Sequence, residues 1–591
     1  MTLLTEKQLF QEFTPVGWDE WKAQASLDLR QTPFERIRWT TPDGFTLEPW
    51  YAPDNTAALS ERSNPEQGNI WRNCRRIAVS DIHQANSSAL ESFSQDVTAL
   101  EFFFCNQDLC TGENIIRLLQ GISVPAVAIY FSGHLGNPLL LMETLAEMPE
   151  FSSNTGGILT ATDRIPAGEE LAICNAGHSM PDFRFLPVDT VPWHDQGATA
   201  SQEIALALAA ASDTLHRFTE AGMEADIVVA GMEVIMATGS SHFTELAKPR
   251  ALRALLPPLL KAWGARKNTM PRLFARTSAA NRSILDPFTN VLRQTTEAVS
   301  AVLGGYQTLQ IDPFDNGLSV SENTAERISA NIHLILREES FLHRVADPAA
   351  GSHYIETLGA ELAKSAWSFF LEIEAAGGLA VALQNGTVTR AISGSGAARK
   401  KTLENRKKTL IGVNRYPWPL TPVQERNIEA LLQALDAEPP GSQTAAFERL
   451  RLKAERHRSL TGRVPTVFIG LSGDPAISFR QAAFAEDFFR CGGFDIAGTA
   501  ILDGNVETCD KALIDSPAIA VLCVAEKDPV PQAEAFCRAL SERQPSLITV
   551  FAGKPPDNPE KLFNAGLDSF IYTGVDVLAM LQSYHTKTGI Q

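Results

Sequence analysis

Two hydrophobic periods divide this chain. From Val464 onward, five apolar runs (VPTVFIGL, FDIAGTAIL, AIAVLCVAE, SLITVFAG and SFIYTG) are bounded by Gly, Pro, Asp or Asn. Runs this short and continuous suit parallel strands buried on both faces. Between them, FRQAAFAEDFFRC and PQAEAFCRALSERQ repeat apolar residues three and four apart, the period of amphipathic helices. Five strands with crossover helices predict a doubly wound, flavodoxin-like sheet over 464–591.

The longer N-terminal part carries eight further strand candidates: 76–82, 99–105, 126–132, 156–162, 183–190, 226–232, 272–278 and 306–312. Helical patterns separate most of them, most clearly SQEIALALAAASDTLHRFTEAG and VLRQTTEAVSAVLGG. Gly156-Gly157 weakens the fourth strand. The alternation predicts a parallel (β/α)8 TIM-type barrel, with an open α/β sheet as the rival that pattern alone leaves standing. Before it, FERIRWTTPDGFTLEPWYAPD reads as a hairpin around Asp43-Gly44. EPPGSQ (438–443) reads as a flexible link between helices. The expected organisation is an arm over 1–65, the barrel over 66–360, a helical linker over 361–463 and the sheet module over 464–591.

Composition narrows the function classes. The 591 residues are 44% hydrophobic, enough for several cores, and 51 Lys+Arg against 69 Asp+Glu leave a formal charge of −18. That balance argues against a nucleic-acid partner. No apolar run approaches the ~18 residues of a membrane helix. The start, MTLLTEKQLFQEF, lacks the apolar block of a secretory signal. Eight scattered cysteines without Cys-x-x-Cys read as reduced thiols of a cytoplasmic protein.

Some motifs point to little. ISGSGAARK, with Gly394 and Gly396, and the FIGLSGD loop complete neither the P-loop nor the dinucleotide fingerprint. The basic runs RLRLKAERHRSLTGR (449–463) and RKKTLENRKK (399–408) read as solvated helix faces or contacts to an acidic partner surface.

Longer motifs carry a resemblance. RTSAANRSILDPFTNVLRQTTEAVSAVLGGYQTLQIDPFD, HRVADPAAGSHYIETL and TLIGVNRYP, together with the C-terminal module, resemble the adenosylcobalamin-dependent methylmalonyl-CoA mutase family. The resemblance implies a barrel that buries a radical reaction interconverting methylmalonyl-CoA and succinyl-CoA, and a cobalamin-binding module behind it. It implies that the N-terminal arm wraps a partner subunit through Trp39, Phe45 and Trp50, with neither core depending on residues 1–52.

The functional positions of that family are missing. Its module carries Asp-x-His-x-x-Gly, whose His binds cobalt and whose Asp orients it. Aligned from GFDI (493–496), these positions are Ala476, Ser478 and Gln481. A gap recovers Asp474 but no imidazole, and His585 lies in the last helix, on the wrong element. The family's Tyr-His-x-x-Glu-Ala-Gly falls on VPWHDQG, putting Val191 and Pro192 at the Tyr and His positions, with His194 two residues along. Its Gly-His-x-Gln-Ser-Leu-His falls on GGYQTLQ, which keeps Gln307 as a candidate substrate contact and replaces both histidines by Gly305 and Gln310. Loss in separate motifs on an intact scaffold resembles the small, silent chain of heterodimeric members. No catalytic residue, cofactor ligand or metal ligand is then expected here, and adenosylcobalamin is expected in a large catalytic partner. Two alternatives stay open: a working mutase whose cobalamin keeps its own base, and a stand-alone acyl-CoA-binding paralogue.

Overall fold

The computed structural model describes residues 16–57, 69–160, 168–266, 269–315, 322–418, 428–502, 513–514 and 516–591. The chain's first 15 residues, part of the fourth strand candidate (161–162) and Cys509 lie outside them.

The arm begins with helix Trp18–Asp28, which buries none of its residues. Trp18, Trp21 and Trp50 stack over one another with centroids 5.2–6.4 Å apart, and Phe34 meets them edge-on. The hairpin is present: β1 (Trp39–Thr40) pairs antiparallel with β2 (Thr46–Leu47), and Gly44 at the tip takes φ 91°. Its seat differs from the expectation that neither core needs this segment. Leu47 is 1% exposed and joins the barrel core with Tyr51, Phe45 packs against that core, and the Asp43 carboxylate accepts from Ser201 N at 2.7 Å. Trp39 stays 40% exposed. The hairpin packs on the chain's own barrel through Leu47, Phe45 and Asp43.

The barrel strands are β3 (Arg72–Val79), β4 (Ala99–Phe104), β5 (Ala128–Gly133), β6 (Gly157–Ile158), β7 (Leu186–Asp189), β8 (Met232–Thr238), β9 (Arg272–Thr277) and β10 (Thr308–Gln310). They pair in parallel in the order β6-β5-β4-β3-β10-β9-β8-β7. A parallel bridge between Gly157 and Arg184 brings the two edges together, with Ile158 N donating to Arg184 O at 2.7 Å. The glycine pair that weakens the sequence signal is what this closure requires. A Cβ on Gly156 would stand 1.7 Å from Ile129 O, and one on Gly157 2.4 Å from Arg184 O.

One strand is displaced from its expected place. Residues 226–232 lie mostly in helix Ala225–Gly231, and β8 starts only at Met232. VVAGMEVIMAT is one apolar stretch, and such a run does not by itself distinguish a buried helix turn from a strand. Long helices 200–220, 242–262, 287–303 and 353–375 cover the barrel, the last packed across the first two.

The module pairs β11 (Thr466–Gly473), β12 (Asp495–Ile501), β13 (Ile519–Ala525), β14 (Ile548–Ala552) and β15 (Ser569–Ile571) in parallel, in the order β12-β11-β13-β14-β15. This is the 2-1-3-4-5 arrangement of doubly wound sheets. Helices Pro475–Arg490 and Val577–Lys587 cover one face, and Val530–Arg543 with Glu560–Asn564 the other, each over its own apolar cluster. Among the described residues no helix is long and apolar enough to cross a membrane, and the seven described cysteines are free thiols.

Candidate functional site

The strands of an α/β barrel point alternate side chains inward, and ligands are taken at the carboxyl ends of the strands. Here the bore itself is full. In its lower part the Tyr130 hydroxyl donates to Glu233 Oε1 at 3.3 Å and lies 3.1 Å from Thr308 Oγ1, which joins β5, β8 and β10 across the axis. Phe274 meets the Tyr130 ring edge-on at 5.3 Å, and Cys74, Ala99, Ala128 and Ile235 pack around the pair. Above them, Glu101 sits between Arg76 at 3.1 Å and Arg276 at 2.8 Å and also accepts from Ser132. Burial raises the Glu101 pKa, but the two guanidinium groups overcome this and hold the carboxylate below its ordinary range. Glu233 goes the other way: burial pushes it up, and Arg272 answers only from 3.8 Å. Tyr130, Phe274, Ile235, Glu101 and Glu233 have no exposed surface.

The mouth is equally occupied. After β7 the chain turns into a short helix, Val191–Asp195, so Val191 and Pro192 form its first turn and His194 points inward. His194 Nε2 lies 2.9 Å from Ser278 Oγ, and its Nδ1 lies 3.5 Å from Glu203 Oε2. Glu203 also accepts from Thr190 Oγ1 and Ala237 N, each at 2.9 Å. Lys248 Nζ donates to Glu203 Oε2 at 2.8 Å and Ala237 O at 2.6 Å, and stands 2.6 Å from Glu245 Oε2. Burial opposes both charges, yet each stabilises the other: Glu203 is held well below its ordinary value and Lys248 above its own. Ser278, His194 and Glu203 match the composition of an acyl-transfer triad. With Ser278 2% exposed and accepting from Ala280 N, they serve instead as a buried polar network.

The linker closes this mouth. Gly441 packs so tightly that a Cβ would stand 2.3 Å from Asp195 O, and a Cβ on Gly197 would stand 2.7 Å from Gly396 Cα. Gln443 N donates to Ala280 O at 2.8 Å, Thr444 Oγ1 to Arg282 O at 3.1 Å, and Arg399 to Ala198 O at 2.9 Å. Glu448, fully buried, accepts from Ser283 Oγ at 2.5 Å and Leu285 N at 3.2 Å. EPPGSQ is therefore a seated lid rather than a flexible link, and ISGSGAARK is helix, with Gly396 allowing the close approach. The basic runs are likewise more than solvated faces. Arg406 pairs with Asp487 at 3.0 Å and covers Phe488, and Arg451 is buried with its Nη1 on Gly412 O at 3.3 Å.

At the module's carboxyl edge, Asp474 caps helix Pro475–Arg490 through Ala476 N at 2.8 Å, with Pro475 at the first helical position. Ala476, Ser478 and Gln481 thus all lie within the first two turns of a regular helix. Ala476 is exposed and Ser478 buried, with its hydroxyl on Pro475 O at 3.4 Å. Gln481 Oε1 is buried without a partner. His585 is far along the chain in the last helix, its Nε2 bonded to Gly492 O at 2.7 Å. The residues present do not fit a cobalt ligand: the position is a helix turn, and no imidazole faces it. Among the described residues no group of three His, Cys, Asp or Glu could hold a metal ion.

Comparison with known proteins gives these features a family. Residues 171–460 match the family model described as methylmalonyl-CoA mutase. The chain is 31% identical over 590 residues to the methylmalonyl-CoA mutase small subunit of Streptomyces virginiae, covering 94% of this chain and 93% of that one. The chain belongs to the methylmalonyl-CoA mutase family. It is also similar to the small subunit from Porphyromonas gingivalis, at 27% over 99% of both chains, and to the large subunit from the same organism, at 31% over 41% of this chain and 34% of that one.

Within this mutase-family chain, the motifs that carry the resemblance do structural work. Arg250 joins Asp347 and, at 2.7 Å, Glu356, so HRVADPAAGSHYIE ties helix His353–Ala375 to helix His242–Ala262. Asn414 of TLIGVNRYP accepts from Leu410 N at 2.7 Å and donates to Leu403 O and Lys408 O at 2.9 Å. Tyr416 N reaches Asp487 of the module at 2.6 Å. Gln307 stands just before β10, at the end of the barrel opposite the mouth, its Oε1 accepting from Leu273 N at 2.8 Å. Gly305 receives Arg253 at its carbonyl, and Gln310 Nε2 donates to Asp312 at 2.9 Å. Sequence reasoning passed over Glu203, Lys248, Glu101 and Glu233. For Glu101 and Glu233 the signal was available, since each is a lone charge inside an apolar run, where only pairing makes it tolerable; Glu203 and Lys248 stand beside other polar or charged residues and carry no such mark.

Proposed function

We propose that this chain is the catalytically silent small subunit of a heterodimeric methylmalonyl-CoA mutase, supporting a large chain that carries adenosylcobalamin and interconverts methylmalonyl-CoA and succinyl-CoA. The observation that supports it most directly is the covered mouth. Residues 438–448 sit over the carboxyl ends of the strands, where a substrate or cofactor would have to approach. The capped helix at Asp474 removes the loop that a cobalt ligand needs. The partnership is supported by relatives that match over nearly their whole length and are named small subunits.

Two measurements test this reading. The isolated chain, titrated with adenosylcobalamin, is expected to give no change in the corrin spectrum. Saturable binding with a Kd near micromolar, about −8 kcal/mol, would overturn the silent role. Ser478→His is expected to leave that result unchanged, since position 478 faces the helix's buried side. Co-expressed with a large mutase chain, the protein is expected to elute as a one-to-one complex with turnover. Turnover by this chain alone would favour an active mutase, and elution apart from the large chain would favour the stand-alone paralogue.

A further inference from the structure

The linker and the module border an open cleft of about 550 Å³, within the ~300–1,000 Å³ range of small-molecule sites. Arg449 and Lys453 face it from helix Ala445–Thr461, Lys400 from helix Thr387–Glu404, and Gln582, His585 and Thr586 from helix Val577–Lys587. The i,i+4 spacing of Arg449 and Lys453, and the i,i+3,i+4 spacing of the other set, places each on one helix face. No Asp or Glu side chain lines the cavity; Gln591 does, and its α-carboxylate sets one negative charge against the three cations. Arg449 is anchored to Asp436 at 2.8 Å, but Lys400 and Lys453 have no ion-pair partner among the described residues. A second observation lies in the wall of the cleft. His585 is 3% exposed, and with Nε2 bonded to Gly492 O its Nδ1 is left buried and unpartnered. Burial depresses its basicity, the bond to Gly492 opposes this, and the Lys453 charge lowers it again. Leu450, Leu578 and Ile590 give the cavity an apolar wall as well. An inorganic ion would leave much of this volume empty, whereas a phosphate ester with a carbon skeleton meets both parts of the lining.

We propose that this cavity binds an organic phosphate of nucleotide size. Lys400, Lys453 and Arg449 hold its phosphates, Gln582 and Thr586 supply neutral donors, and the apolar wall takes the remainder. Negative charge here offsets Lys453 and lets His585 protonate, turning its orphaned Nδ1 into a donor.

The test uses the full-length chain with ADP, pyrophosphate and citrate as calorimetric probes. ADP is expected to bind saturably, more tightly than pyrophosphate, and more weakly as salt screens the cations. In the double variant Lys400→Ala/Lys453→Ala, whose sites are surface ammonium groups rather than core, ADP affinity is expected to fall at least ~10-fold, or about 1.4 kcal/mol, with an unchanged circular dichroism spectrum. Imidazole nitrogen NMR is expected to show the His585 pKa rising when ADP is added. Absence of saturable heat at about 1 mM ADP, a weak Kd near −4 kcal/mol, would overturn the proposal. So would undiminished binding by the double variant. Citrate binding as tightly as ADP would overturn the phosphate assignment.

Discussion

The barrel and the module end their parallel strands in opposite ways. In the barrel's bore and at its mouth, charged groups are turned on one another: Glu101 with Arg76 and Arg276 in the bore, and Glu203 with Lys248 and Arg282 with Asp312 at 2.7 Å at the mouth. At the module edge no such cluster forms among the described residues: a proline and a capping aspartate start a helix at once. One edge is packed with paired charges and the other is a capped helix start. A buried charged cluster is lost only in concert, because removing one partner strands the rest. A capped helix start carries no such mutual dependence.

That contrast predicts where the protein is brittle. Lys248→Met leaves Glu203 and Glu245 buried without their cation, and should cost about 3–5 kcal/mol in urea unfolding. The double variant Lys248→Met/Glu203→Gln should recover part of it, and a purely additive loss would break the picture of one coupled cluster. Leu47→Ala tests whether the hairpin belongs to the barrel: a cost of about 2–5 kcal/mol is expected, and a negligible one would return the arm to the status of an appendage. Gly441→Ala forces a Cβ onto Asp195 O and should cost about 1–3 kcal/mol, read as a lower melting temperature.

Glu297 sharpens the same comparison through pH. It is buried against Asn281, which donates at 2.7 Å, and burial raises its pKa from 4.5 to about 8. Between those values the folded protein keeps a proton that the unfolded chain has released. Stability from this group is thus full below the unfolded value and declines as pH rises toward 8, by up to about 1.4 kcal/mol per unit. Glu297→Gln should flatten that slope in denaturation midpoints measured across the window. The smallest effect belongs to the module, where Asp474→Ala removes an N-cap worth about 1 kcal/mol. If it instead cost as much as Lys248→Met, the module edge would be as tightly interlocked as the barrel mouth.

Strand positions in the module were legible because each run is apolar, short and punctuated. The barrel strands were nearly as clear, and the Gly156-Gly157 strand was real for a reason that no pattern displays: its glycines answer a backbone on another strand. The run through residues 226–238 misled because helix and strand are equally apolar there. That no imidazole stands at Ser478, Pro192, Gly305 or Gln310 could be read directly. The packing could not, since Gly441 meeting Asp195, Leu47 entering the barrel core and Glu203 finding Lys248 are long-range contacts. EPPGSQ has the composition of a loose connector and is held only by surfaces distant in sequence.

The lid over the mouth has a consequence for how the chain is made. Ribosomes deliver the barrel strands first, and residues 438–448 emerge only after all eight, at ~5–20 residues per second a delay of about 10–50 s after the 191–199 turn. Throughout that interval the surfaces of Asp195, Gly197 and Ala280 await the segment that covers them, with their carbonyl groups open to water. A nascent chain stalled before residue 438 should therefore be the species most readily captured by chaperones, and the arrival of one glycine-bearing turn marks the moment at which the barrel becomes a finished domain.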